Sequence, residues 1–360
     1  MLWYNNINNL ISIINIGIGD LLATIKDIAI KTNLSITTVS LVLNNRADNI
    51  PQKTKDIVLK AAKDLNYSPN QLAVALVTKR SKTLGLIVPD IRNNFFSSLA
   101  KGIEDECRNN GWTVFLCNSN DMHDRDLEYI KILAGKGVDG LLYCMSADSD
   151  AKKFKEKYEL LQRFGIKFVV LDRYFDFPSI ITARLDHLKG GYLATKHLID
   201  LGHSRIACVT GPNNLIDSNE RLRGYQMALK ENGIPYDPKI IIEGNYQVEG
   251  GFAAVDKLVG TDFTSVFAFN DMMAYGLFKG LQARGLSVPK DISIVGYDDI
   301  YLSEILEVPL TTVHQPVELM GKAATTHIIS LIEDELKNNE IPTYAPKLVI
   351  RKSTAKLNLL

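Results

Sequence analysis

Polar side chains that could hold a small ligand follow several apolar, strand-like segments of this 360-residue chain. Asp172-Arg173 follow KFVVL, Asn270 closes SVFAFN and Asp298 closes ISIVGYD. Open sheets of parallel strands bind ligands outside the carboxyl ends of those strands. Carboxylate, amide and guanidinium groups together offer hydrogen-bond donors and acceptors. These positions therefore predict a polar binding site at one edge of a sheet.

The sequence lacks the patterns expected of a catalytic or metal-binding protein. It contains no HExxH, GxSxG, P-loop or GxGxxG motif, and its six histidines are scattered. Its four cysteines, Cys107, Cys117, Cys144 and Cys208, form no CxxC pair. We therefore expect buried free thiols, no metal and no cofactor. An enzyme is the rival class, and these absences count against it.

The elements that would position the polar residues alternate between strand and helix from Leu84 onward. Strand-like segments fall at 84–89, 113–118, 138–144, 167–172, 181–186, 205–212, 239–245, 265–270 and 292–298. Amphipathic helical segments lie between them, which is typical of right-handed βαβ units in parallel sheets. Two such series of about 100 residues exceed one sheet. The sequence thus predicts two doubly wound lobes with a cleft between them.

The segment before these lobes has a different pattern. Residues 24–45, TIKDIAIKTNLSITTVSLVLNN, predict two short helices joined by a tight turn. Asn33 suits a left-handed turn position, and Ser35 suits a helix N-cap. Ile36, Thr37, Ser40 and Leu41 would then face outward from the second helix. This is helix-turn-helix geometry, in which the second helix enters a DNA major groove.

Charge supports the same interpretation. Residues 24–82 contain eight Lys and two Arg against four Asp, a net charge of +6, whereas the whole chain is neutral. A basic segment on a slightly acidic body indicates that one end of the chain meets a polyanion. No apolar run reaches the roughly 18 residues of a membrane span. We expect a cytoplasmic protein with no membrane contact.

The motifs IKDIA, SITTVS and LNYSPNQLAVAL, in this order, resemble the start of the lactose-repressor family of bacterial transcriptional regulators. GLIVPDIRNNFFSSLAKGIE, ERLRGY, FNDMMAYG and LTTVHQP extend the resemblance over nearly all of residues 22–354. Within the family the chain is most similar to the ribose-repressor type. The resemblance implies an all-α helix-turn-helix head on an α/β body with the fold of periplasmic binding proteins. It also implies a homodimer that binds operator DNA.

The resemblance implies DNA contacts along the head and the segment after it. Leu76 would act as a wedge in the minor groove. Leu41 stands where the family commonly has Arg or His, so one usual base contact is missing. The expected DNA-binding residues are Thr24, Ser35, Ile36, Thr37, Thr38, Ser40, Asn44, Lys55, Asn70 and Leu76.

The resemblance also implies a ring of planar polar groups around aromatic side chains in the cleft, which suits the vicinal hydroxyls of a monosaccharide such as ribose. The expected effector-binding residues are Phe95, Phe96, Asp172, Arg173, Arg221, Tyr246, Asn270, Tyr297, Asp298 and Gln315. Core packing is the alternative for Phe96. Asp271 is expected to cap a helix and not to bind ligand.

The expected domains follow from these assignments. They are a head over 22–66, a hinge helix and linker over 67–83, and a body over 84–354, with lobe one at about 84–184 and 313–340 and lobe two at about 185–312 and 341–354. Residues 1–21 are expected to be an extension that is not native. Two further alternatives stay open, an exported sugar-binding protein and a regulator controlled by a phosphorylated partner protein.

Overall fold

The computed structural model describes residues 23–44, 46–68, 78, 80–175, 180–335 and 340–357. The chain divides into two compact units, Met1–Ser81 and Lys82–Leu360. The expected extension 1–21 and most of the expected hinge, including Asn70 and Leu76, lie outside the described residues.

In the N-terminal unit, the described residues between 23 and 68 form three helices: α1 (Ile25–Thr32), α2 (Ile36–Leu43) and α3 (Gln52–Asp64). Thr24 and Asp27 form a capping box at the start of α1. Asn33 ends α1 in the left-handed conformation at φ 54°, and Ser35 caps α2 by accepting a hydrogen bond from the Thr38 amide. Both predictions for this turn are confirmed. The tight turn follows from Asn tolerating positive φ and Ser satisfying a free helical amide.

A small apolar core holds the three helices together. Ile28 on α1, Val39 on α2 and Val58 on α3 have no exposed surface. The other buried residues of the cluster are Ala29, Val42, Ala61 and Ala62 on the same three helices, and Ala47, which follows α2. The outer face of α2 stays free, since Ile36 is 50% exposed and Leu41 is 37% exposed. The head therefore presents α2 to solvent while α1 and α3 hold it from behind.

Lobe one of the body is a five-stranded parallel sheet flanked by helices. Its order is β2-β1-β3-β4-β5, so β1 lies beside both β2 and β3. The strands are β1 (Thr83–Val88), β2 (Thr113–Asn118), β3 (Gly140–Tyr143), β4 (Lys167–Leu171) and β5 (Thr182–Ala183). The crossover helices are α4 (Asn94–Asn109), α5 (His123–Gly135) and α6 (Ala151–Phe164). The helices cover an interior of continuous apolar strands, as parallel sheets require.

Lobe two is a six-stranded sheet in the order β11-β10-β9-β8-β6-β7. Its strands are β6 (Ile206–Thr210), β7 (Ile241–Glu243), β8 (Ser265–Ala268), β9 (Ser293–Asp298), β10 (Thr311–His314) and β11 (Lys347–Val349), of which β11 alone runs antiparallel. Its helices are α7 (His187–Asp200), α8 (Ile216–Glu231), α9 (Val248–Leu258), α10 (Asp271–Gln282) and the short α11 (Leu302–Ile305). The sequence-based expectation of two doubly wound parallel lobes is confirmed.

The chain passes between the lobes at three places. It crosses first between β5 and α7, and it returns after β10 to form α12 (Val317–Ile332), which packs on α4 of lobe one. The third crossing leads to β11. The sequence pattern predicts the second boundary between the lobes at about 312/313, whereas hydrogen bonding keeps β10 in the second sheet through His314. Among the helices of the described ranges, none is long and apolar enough to cross a membrane.

Candidate functional site

A polar cavity lies between the carboxyl ends of the two sheets of the body. Its volume is about 20 Å³, which is little more than one water molecule requires. Lobe one contributes the start of α4 and the turn after β4, and lobe two contributes α8 and the ends of β8 and β9. The lining residues are Asn93, Phe95, Phe96, Asp172, Arg173, Asp217, Arg221, Tyr246, Asn270 and Asp298.

Eight of the ten residues expected from the sequence line this cavity, and two do not. Tyr297 lies beneath Arg221, with the guanidinium carbon 3.9 Å from the ring centre. Gln315 donates a 2.8 Å hydrogen bond to Oδ1 of Asp298. Both are buried and support residues that line the cavity. Successive side chains of a strand alternate between faces, which separates Tyr297 from its neighbour Asp298.

Asn93 and Asp217 line the cavity but were not predicted. The side chain of Asn93 accepts a hydrogen bond from the Phe95 amide and so caps α4. Asp217 stands four residues before Arg221 on α8. Residues at that spacing share one helix face. The prediction that Arg221 faces the cleft could therefore have been extended to Asp217.

Backbone conformation aims three of these side chains into the cavity. Asp172 has φ 59°, Tyr246 has φ 63° and Asp298 has φ 109°. Positive φ is costly for residues with a Cβ, by about 1–3 kcal/mol each, and it persists where the surrounding structure enforces it. The clustering of three such residues around one cavity indicates a site that is held in a specific geometry.

A buried histidine joins charges from the two lobes. Nε2 of His187 lies 3.0 Å from Oδ1 of Asp172, and Nδ1 lies 3.3–3.4 Å from two nitrogens of Arg221. A guanidinium can only donate, so Nδ1 must accept and the imidazole proton sits on Nε2. Oδ1 of Asp172 then accepts a hydrogen bond from Nε2–H of His187. Arg221 is further held by the carbonyl oxygen of Phe269.

Arg173 is fixed in the same way within lobe one. Its Nη1 donates to Oδ1 of Asp121 at 2.7 Å and to the carbonyl oxygen of Met145 at 3.0 Å. Its guanidinium lies over the ring of Phe96, with 5.4 Å to the centre, and beside that of Tyr246 at 5.8 Å. The pKa of Arg173 is raised, since burial opposes its charge but Asp121 and other acids outweigh that effect. Arg173 is therefore a permanent cation in the cavity wall.

The carboxyl groups of the cavity differ in their ionisation. Burial raises the pKa of Asp298 well above its usual range despite the opposing charge of Arg221. Burial acts in the same direction on Asp217, but the charges of Arg221 and Arg173 outweigh it and lower the pKa of Asp217. One wall therefore carries a firmly ionised carboxylate, and another carries a carboxyl that resists ionisation.

The prediction that Asp271 caps a helix is wrong. The N-cap of α10 is Asn270, whose side chain accepts from the Met273 amide at 2.9 Å. Asp271 is instead a fully buried residue of the first turn, and it accepts from Ser303 and Thr312 hydroxyls at 2.6 Å each. Burial raises its pKa to about 6. The helix begins one residue earlier than an N-cap at Asp271 requires.

Of the residues expected to contact DNA, the eight that the structure describes all lie on the head. Ile36, Thr37 and Asn44 on α2 or its end are exposed. Thr24 and Ser35 are exposed at the N-caps of α1 and α2, and Thr38, Ser40 and Lys55 are half-buried. Thr38 and Ser40 also have local partners, Ser35 and Asn44. The exposed side of α2 is therefore a surface of small polar and apolar groups.

Metal-ligand geometry does not arise among the residues that the structure describes. No three His, Cys, Asp or Glu side chains of those ranges form a group that could hold a metal ion. The thiols of Cys107, Cys117, Cys144 and Cys208 are free, and burial raises the pKa of each. They are unsuited to act as thiolate ligands or nucleophiles.

Two family models together match most of the chain. Residues 24–70 match the model described as bacterial regulatory proteins of the lacI family. Residues 81–349 match the model described as periplasmic binding proteins and sugar binding domain of the LacI family. The boundary between them falls next to the division of the chain into two compact units.

Individual relatives are similar over almost the whole length. The HTH-type transcriptional repressor PurR of Vibrio parahaemolyticus is 36% identical, over 94% of this chain and 100% of the relative. A LacI family regulator from Enterococcus faecium, solved with bound ribose, is 36% identical over 77% of this chain and 100% of its own, with a TM-score of 0.69. The lac repressor dimer bound to operator and the anti-inducer ONPF is 27% identical over 93% of this chain and 99% of its own, with a TM-score of 0.83.

Proposed function

We propose that this chain, which belongs to the LacI family of bacterial regulatory proteins, represses a sugar-utilisation operon under the control of a monosaccharide bound between its lobes. Family membership makes it a DNA-binding transcriptional repressor with a ligand-binding domain, and not an enzyme. The identity of the ligand is the part that we infer. As a regulator of transcription it would act in the cytoplasm.

The observation that carries this proposal is the composition of the cavity wall. Carboxylates, guanidinium groups and amides from both sheets converge there, with the rings of Phe95, Phe96 and Tyr246 beside them. A sugar presents hydroxyls that both donate and accept, and an apolar ring face that packs on aromatic side chains. A planar nitrogenous base would also stack on the aromatic rings, but it offers no hydroxyl that both donates and accepts beside these polar groups.

Ribose is the sugar that we favour. The regulator from Enterococcus faecium was solved with bound ribose, and it is similar to this chain over its full length. The relatives named PurR are as similar, so the names of relatives do not decide the ligand. The density of hydrogen-bonding groups around the cavity favours a compact polyol such as a pentose. The lobes would have to separate to admit it, because the cavity has room for little more than one water molecule.

We assign base contacts to the exposed side of α2, chiefly Ile36 and Thr37, with Thr38, Ser40 and Asn44 nearer the phosphates. Thr24, Ser35 and Lys55 would contact the backbone of the DNA. Asn70 and Leu76, which lie outside the described residues, are assigned to the hinge, with Leu76 as the minor-groove wedge. Sugar binding would change the angle between the lobes and, through the hinge segments, the affinity for DNA.

A homodimer is the assembly that fits this mechanism. A two-fold operator needs two heads, and the lac repressor bound to operator is a dimer. In this chain β2 is an edge strand whose Phe115 and Leu116 are 46% and 47% exposed. Unpaired apolar edges need covering. Light scattering at micromolar concentration should report twice the chain mass, and a monomer would contradict the assignment.

The experiment compares ligand binding with operator binding. Calorimetry with D-ribose, D-glucose and adenine identifies the ligand, and fluorescence anisotropy on an operator selected from a random DNA library measures its effect. We expect ribose to bind and to change operator affinity by about 5- to 150-fold. Asp298→Ala should remove this response, whereas Asp262→Ala, at an exposed position of lobe two, should keep it.

Each contrary outcome identifies a different alternative. A full ribose response in Asp298→Ala would refute the assignment of the cavity. Adenine binding in place of ribose would favour a planar ligand, and a response only to a phosphorylated protein would favour control by a protein partner.

A further inference from the structure

Asp217 carries an acceptor that the folded chain leaves unused. Its Oδ2 accepts a 2.6 Å hydrogen bond from the Tyr246 hydroxyl, whereas its Oδ1 is buried without a hydrogen-bond partner. The residue is 2% exposed and lines the cavity. A buried polar atom without a partner costs about 1–3 kcal/mol, and more when it is charged. Such an atom, on a residue that lines a binding cavity, points to a partner supplied by the ligand.

The charge on this residue restricts what that partner can be. Arg221 and Arg173 outweigh the effect of burial and lower the pKa of Asp217, so the carboxylate is ionised. An ionised carboxylate only accepts hydrogen bonds. The ligand must therefore place an O–H or N–H donor at Oδ1. A second buried acceptor without a partner, Oε1 of Gln315, lies behind Asp298 and adds to the excess of acceptors.

The two guanidinium groups of the cavity do not offset this excess of hydrogen-bond acceptors for an anionic ligand. Three carboxyl groups and two guanidinium groups line it. Arg173 is engaged by Asp121 and Met145, and Arg221 by Phe269 and His187. The lining thus has no surplus of positive charge. A phosphate dianion would lose its hydration and gain no unmatched cation, which is unfavourable in a buried site.

We propose that Asp217 is a specificity-determining residue that requires a free hydroxyl of the ligand and excludes phosphorylated sugars, so that the repressor responds to the neutral sugar and not to its phosphate ester. This inference rests on the proposed function, because it takes a monosaccharide as the ligand. The ligand to which the repressor responds is then the sugar before it is phosphorylated. A kinase that phosphorylates the sugar would end the signal.

Calorimetry on the full-length protein with D-ribose and D-ribose 5-phosphate tests the proposal. The wild type should bind ribose at least about 100-fold more tightly than the phosphate, since a site built for a hydroxyl rejects a mismatched ligand strongly. Asp217→Asn keeps the shape and an acceptor for Tyr246 but removes the charge. It should weaken ribose binding by about 10- to 100-fold and reduce the preference for ribose over its phosphate by at least about tenfold.

Ribose analogues that each lack one hydroxyl, measured on the wild type and on Asp217→Asn, identify the hydroxyl that Asp217 binds. The analogue that lacks the partner of Asp217 should bind wild type and Asp217→Asn with similar affinity, whereas the other analogues should still lose affinity in the variant. Asp262→Asn, an exposed acid of the same lobe, is the matched control and should bind both ligands as the wild type does. Circular dichroism checks that Asp217→Asn is folded. The comparison of ribose with ribose 5-phosphate on the wild type does not depend on the folding of any variant.

Three results would overturn the proposal. The first is a wild type that binds ribose 5-phosphate as tightly as ribose. The second is an Asp217→Asn variant that keeps both the wild-type ribose affinity and the wild-type preference; the proposed function would survive either result. The third is a wild type that binds neither compound, which would refute the proposed sugar and this inference together.

Discussion

A buried ion pair in lobe one allows a quantitative test of the structure. Nζ of Lys157 on α6 lies 2.8 Å from Oδ2 of Asp126 on α5, and neither side chain is exposed. The same oxygen accepts from the hydroxyls of Tyr143 and Ser146 at 2.6 and 2.7 Å. Lys157 also donates to Ser149 at 2.5 Å. The substitution Lys157→Met removes the cation and leaves an unbranched, apolar side chain in its place.

The expected loss of unfolding free energy arises because the substitution leaves the Asp126 carboxylate buried without its cation. At 2.8 Å and an effective dielectric constant of about 20, the two charges attract by about 6 kcal/mol. The loss is smaller than that, because the hydroxyls of Tyr143 and Ser146 still donate hydrogen bonds to the carboxylate. Removing one partner of a buried pair typically costs about 3–5 kcal/mol. We therefore expect Lys157→Met to lower the free energy of unfolding by about 4 kcal/mol.

Urea unfolding followed by the fluorescence of Trp112, which is buried in the core of lobe one, measures this loss. Lys155→Met is the matched control, because Lys155 lies on the same helix with its side chain 62% exposed. It should change the unfolding free energy by less than about 0.5 kcal/mol. The double variant Asp126→Asn/Lys157→Met removes both charges and should recover at least about 2 kcal/mol of the loss.

Two outcomes would refute the reasoning about the pair. One is a Lys157→Met protein whose unfolding free energy is within about 1 kcal/mol of the wild type, which would mean that Asp126 is solvated or partnered otherwise. The other is a double variant as unstable as Lys157→Met. That result would assign the loss to packing and not to an unpaired charge.

Three further predictions concern other parts of the chain. Ser35→Ala removes the cap of α2 and should speed hydrogen exchange of its first amides about fivefold, equivalent to about 1 kcal/mol; unchanged exchange would contradict the cap. Gly191→Ala adds a Cβ that overlaps the backbone of Arg221 where α7 meets α8 and should cost about 1–3 kcal/mol, whereas Gly135→Ala, where a Cβ meets nothing, should cost none. The raised pKa of Asp271, about 6 against 3.8, means that the folded state binds the proton more tightly than the unfolded state. The stabilising effect of protonating Asp271 is full below about pH 4 and is lost as the pH rises through 6. Lowering the pH from about 7 to 4 should therefore stabilise the wild type relative to Asp271→Asn by about 2 kcal/mol. If urea unfolding showed the same difference between the two proteins at both pH values, Asp271 would not be a buried ionisable carboxyl.

The sequence by itself determined the elements and their order. Asn33 and Ser35 define the turn of the head, because positive φ and N-capping are local requirements that few residue types meet. The apolar segments that end in Asp172-Arg173, Asn270 and Asp298 are strands whose carboxyl ends meet at the cleft, because parallel topology brings them to one edge. Periodicity and strand ends are local signals, so one sequence was sufficient to find them.

Tertiary structure alone decided which side chains face the cavity and what they do there. Tyr297 and Gln315 support other residues, whereas Asp217 lines the wall with a free acceptor. The hydrogen bond between His187 and Asp172 joins residues of different lobes. These features depend on how segments distant along the chain pack against each other. Burial and the neighbouring guanidinium charges then set which carboxyl is ionised. Neither effect has a signature in local residue spacing.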